Sequence, residues 1–69
     1  MTLPSEDRER LLTRLRRVDP AAFRGQVRAV LSAYGEVDAA ATALRVASAT
    51  LRGWIDGDRS LVDGITLAG

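Results

Sequence analysis

Leu11, Leu15 and Val18 recur at the spacing of one helical face, and Arg10, Arg14 and Arg17 fill the opposite one. The pattern predicts a first helix over about residues 5–18. Ser5 is placed to cap it, and Glu6 and Asp7 fall in the opening turn, where the helix dipole favours negative charge. Glu6 stands four residues before Arg10, a favourable spacing for an exposed ion pair. Asp19-Pro20 then punctuates the chain, because Asp caps helices well and proline suits the first helical position, where no amide donor is needed. From there Phe23, Val27, Val30, Leu31 and Tyr34 form one stripe of a second helix, and Gly35 can end it in the left-handed conformation. Gly25, inside that helix, costs about 1 kcal/mol relative to alanine unless another backbone approaches it closely.

Beyond Gly35 the pattern predicts two short helices. One runs from Asp38 as cap to about Leu44 and buries Ala40, Ala41 and Leu44; the other runs from about Ser48 to Asp56 and buries Leu51, Ile55 and part of Trp54. Only Arg45-Val46-Ala47 separates them. Two helices joined by so short a turn need a small residue where they cross, which Ala41 supplies, and Val46 is placed to plug the core between them. In the last segment Gly57 ends the final helix, and Leu61, Val62, Ile65 and Leu67 make an apolar tail that covers the core or a partner chain.

Composition narrows the class. Sixty-nine residues hold one domain, and with 46% hydrophobic residues, few aromatics and abundant alanine the expectation is a small all-α domain of four helices. There is no Cys and no His, and every basic residue is Arg. The commonest metal ligand, the commonest general base and the thiol nucleophile are therefore missing, so neither an enzyme nor a metal or other cofactor is expected. Asp56, Asp58 and Ser60 imitate the start of a calcium loop, but Leu61 stands where that loop needs Gly and Leu67 where it needs Glu. No apolar run approaches the ~18 residues that span a bilayer, and Met1-Thr2-Leu3-Pro4 lacks the character of a secretory signal, so a cytoplasmic chain without membrane contact is expected. Charge is divided by position: residues 1–34 carry seven Arg against four acids, and residues 35–69 carry three against five. The first half thus has the sign that attracts phosphate backbones.

Tyr34-Gly35, Ala40-Ala41, Leu44-Arg45-Val46 and Ser48-Ala49-Thr50-Leu51-Arg52 occur in register and without a gap. Over about residues 23–56 the chain resembles the helix-turn-helix of the Fis (factor for inversion stimulation) family and of the DNA-binding ends of bacterial enhancer-binding activators. The resemblance implies a single domain over 1–69, with two helices in 5–34 that form the dimer core, a helix-turn-helix in 35–56 and a tail in 57–69. Arg45 replaces the family's usual turn glycine, a strain of about 1 kcal/mol if the turn is left-handed. Ala47 stands where a capping Ser or Asn is common, so Ser48 is expected to take over and shift the helix start by one residue. Gly53 and Trp54 occupy positions often held by Lys or Arg, and Asp56 and Asp58 follow, so one protomer should bind DNA weakly. A homodimer raises avidity by ~10²–10⁴.

The function expected is therefore a sequence-tolerant binder of double-stranded DNA, a transcriptional regulator or architectural factor acting as a homodimer. Arg52 reads guanine, Ala49 and Gly53 allow close approach, and Arg45, Ser48 and Thr50 complete the contact surface, with Arg28 a further phosphate contact. Leu11, Leu15, Val18, Phe23 and Val27 are the expected dimer interface; the alternative is that the first helix folds back over its own core. From a different class comes a protein-interaction module that keeps the fold without DNA and uses Trp54 and the tail as its contact surface.

Overall fold

The structure is a computed structural model that describes residues 5–68, with side chains over 8–68. It is all-α: α1 (Ser5–Val18), α2 (Pro20–Tyr34), α3 (Val37–Leu44) and α4 (Ser48–Gly57), followed by a 3-10 turn at Arg59–Leu61. The expected Ser5 cap and the Glu6–Arg10 pair concern side chains outside the described residues. At the start of α2 the Asp19 carboxylate accepts the Ala22 amide at 3.2 Å, and Pro20 occupies the first helical position. Gly35 closes the helix with φ 69°, its amide donating to the Leu31 carbonyl at 2.8 Å.

α3 begins one residue before the expected cap. Glu36 is the extended residue at its start and makes no side-chain cap, whereas Asp38 lies in the first turn. The reason is the turn itself: once Gly35 has reversed the chain, Glu36 is already extended (φ −153°) and Val37 can enter the helix. The far end is a two-bond C-cap in which Arg45 donates to Thr42 at 3.1 Å and Val46 to Ala41 at 3.0 Å, with Arg45 left-handed (φ 62°). A non-glycine residue holds that conformation at a cost of about 1 kcal/mol. The motif folds Val46 back over Ala41, and both are buried.

The core draws on every element: Leu12 from α1, Phe23, Val27 and Leu31 from α2, Ala40, Ala41 and Leu44 from α3, Leu51, Trp54 and Ile55 from α4, and Leu61 from the 3-10 turn. Phe23 meets Trp54 edge to face with centroids 5.1 Å apart, a geometry worth about 0.5–1.5 kcal/mol beyond the area buried. α1 packs on α2 through Leu12 and half-buried Leu15, while Leu11 and Val18 face solvent. The inward face of α1 is thus rotated by about a residue from the Leu11–Leu15–Val18 stripe expected. The end of the chain returns along the α2–α3 junction, where Ala68 donates to the Gly35 carbonyl at 2.7 Å, and Val62, Ile65 and Leu67 rest on the core.

Candidate nucleic-acid interface

α4 buries Leu51, Trp54 and Ile55 and turns Ala49, Arg52, Gly53 and Asp56 outward. This division follows from helical periodicity, since Arg52 lies one position past fully buried Leu51 and so must leave the core side. Of the residues expected to contact DNA, Arg45, Ala49, Arg52 and Gly53 are exposed, and Ser48 and Thr50 are half-buried. They occupy the outer surface of α4 and the turn that leads into it. A side chain added at Gly53 would meet nothing within 4 Å, so the helix presents a low surface on both sides of Arg52.

Three neighbours alter the electrostatics of this surface. Arg52 Nη2 lies 3.0 Å from Asp38 Oδ1, an ion pair that reaches across from the first turn of α3. Arg59 stands 3.8 Å from Asp56. At the start of α4, Glu9 of α1 accepts the Ala47 amide at 3.1 Å. Ser48 is therefore the first helical residue and not the cap; Ala47 holds the cap position without a side-chain acceptor of its own, and a carboxylate from another helix completes the end. A negative charge is well placed at a helix N-terminus. Of these contacts Arg59–Asp56 is local, three residues apart, whereas Arg52–Asp38 and Glu9–Ala47 join residues far apart in sequence whose types are common on any exposed helix, so those two had no local signal.

Arg8 of α1 and Arg45 of the turn line one open depression, together with Leu11 and Ala43. The Arg28 guanidinium, expected at a phosphate, donates to the Ser60 carbonyl and anchors the 3-10 turn. Asp58 begins that turn. The Ser60 hydroxyl hydrogen-bonded to it holds its carboxyl below the usual carboxylate range, against the opposing effect of desolvation, and the Ser60 amide and Arg24 act in the same direction.

The expected dimer surface is divided. Leu11 is 61% and Val18 75% exposed, and Leu15 is half-buried. Phe23 and Val27 are not available to a partner: both are sealed in the protomer's own core, where Phe23 packs on Trp54. Trp54 itself is only 6% exposed, so it is a core residue and not an exposed anchor for a partner protein. Among the described residues no group of His, Cys, Asp and Glu is placed to hold a metal ion. No described helix is long and apolar enough to cross a membrane. No family model, curated protein or solved structure matches this chain.

Proposed function

We propose that this chain binds double-stranded DNA with little sequence preference, laying α4 in the major groove and acting as a homodimer joined through the outer strip of α1. The observation that carries the reading is the outward surface of α4, where one arginine stands between alanine and glycine. A guanidinium can pair bidentately with the guanine edge, and the small neighbours let the helix backbone come close to base edges and thymine methyls.

The ion pair to Asp38 does not remove Arg52 from use. Both side chains are more than half exposed, and such surface pairs are worth at most about 1 kcal/mol, less than a bidentate base contact. Asp56 on the same face repels phosphate, which limits the affinity of one protomer and leaves specificity to DNA shape and bending. The outer strip of α1, with Leu11 and Val18 exposed beside Arg10, Arg14 and Arg17, supports pairing of two copies.

Electrophoretic shift at low salt tests this. Wild type is expected to retard any duplex, Arg52→Ala to lose about 1–3 kcal/mol of binding with unchanged helical content, and Asp38→Asn to bind a few-fold more tightly because Arg52 is released. A wild-type protein that retards no duplex, or an Arg52→Ala variant that binds normally, overturns the reading.

A further inference from the structure

Arg45 is the one residue other than glycine with positive φ among the described residues, at φ 62°. Glycine would hold this turn without strain, so the backbone gives no reason for an arginine here. Its side chain is exposed, and so is that of Arg8, which the fold brings from α1 to the other edge of the same depression. Neither makes an ion pair among the described residues, whereas Arg24, Arg52 and Arg59 all do. Leu11 and Ala43 line it with them and offer no competing carboxylate. The neighbouring Glu9 carboxylate is turned to the Ala47 amide and is not part of the described lining.

We infer that Arg8 and Arg45 form a clamp for one phosphodiester of the duplex backbone, beside the N-terminal end of α4. The inference rests on the DNA-binding reading and adds to it a contact from α1. Strained backbone is retained where the side chain it presents has a use, and two guanidiniums lining one depression suit the several oxygens of a phosphate better than one. Its role is to fix the orientation of α4 in the groove, since phosphate contacts position a protein without reading sequence.

The test is the salt dependence of binding to a mixed-sequence duplex of two helical turns, from about 50 to 200 mM salt. Wild type is compared with Arg8→Gln, Arg45→Gln, the double variant, Arg8→Lys and Arg16→Gln, the last removing the same charge from the far end of α1, outside the strip proposed for pairing. Each of the first two is expected to flatten the log–log slope by about 0.9 per bound protomer, and the double variant by about twice that. Arg8→Lys should keep the wild-type slope and Arg16→Gln should leave it unchanged. Circular dichroism verifies that the variants stay helical. If wild type binds but Arg8→Gln keeps its slope, or Arg16→Gln flattens it equally, the clamp is wrong and DNA binding through α4 stands. If wild type binds no duplex at low salt, both fall.

Discussion

Arg45 and Gly25 are two residues at which backbone preference and side chain point in opposite directions. Replacing Arg45 with glycine relieves a left-handed conformation and is expected to raise stability by about 1 kcal/mol while weakening duplex binding. Thermal melting and a duplex titration on the same sample check both halves; a variant that gains stability and binds as before would leave the arginine without a role. Gly25 behaves differently. It is exposed within α2, and a Cβ added there meets nothing within 4 Å, so no close backbone approach explains it. Gly25→Ala is expected to stabilise by about 0.5–1 kcal/mol, read as a higher melting temperature. The cost of that glycine was legible in the sequence; the open space around it was not, because it depends on what packs beside α2.

At the scale of elements, α3 packs against α4 and buries Ala40 and Ala41. Ala41 is 1% exposed and lies under Val46 at the two-bond cap, so Ala41→Leu is expected to destabilise by about 1–3 kcal/mol by pushing the pair apart. An unchanged denaturant midpoint would show that the junction has room to spare. Burial of Ala40, Ala41, Leu44, Leu51 and Ile55 was readable from the spacing of side chains, and the start of α2 at Pro20 from the Asp19-Pro20 pair. The ends of the short helices were less so. Asp38 has a better capping side chain than Glu36, but the position of Gly35 decides which residue is extended, and the Ala68 main chain pairs with that same glycine. The amide at the start of α4 finds its acceptor in Glu9, from a helix that no local rule connects to it.

The whole molecule hides most of its large apolar side chains without a partner. Phe23 and Val27 are inside, and the large apolar side chains left exposed among the described residues are Leu11 and Val18 on the outer face of α1, among Arg10, Arg14 and Arg17, and Tyr34 at the end of α2. A homodimer through this strip is expected to give twice the chain mass by light scattering and a melting temperature that rises with protein concentration, since association stabilises only the folded state. Val18→Glu places a charge in the strip at an exposed site, so the mass should halve while helical content is kept. Leu15 is a poorer choice, because it also packs against the core and its replacement would disturb α1 itself. Wild-type protein that stays monomeric at high concentration removes the dimer and the avidity it lends to DNA binding.

Local chemistry was enough to determine the helical class, the α1 and α2 spans, the breaks at Asp19-Pro20 and Gly35, and which residues of α3 and α4 turn inward. These follow from side-chain spacing and from the backbone freedom of single residues, which depend only on neighbours within a turn or two. Tertiary structure decided the rest. It chose Leu12 over Leu11 as the buried residue of α1, enclosed Phe23, Val27 and Trp54, committed Arg28 to the 3-10 turn, and set Asp38 against Arg52. It also brought Glu9 to the start of α4 and Arg8 to the depression that Arg45 lines. A helix with apolar residues at 11, 12, 15 and 18 can present either of two faces, and only packing against α2 selects one. The partner of an exposed charge depends on which helix lies opposite, a distance that no spacing along the chain records.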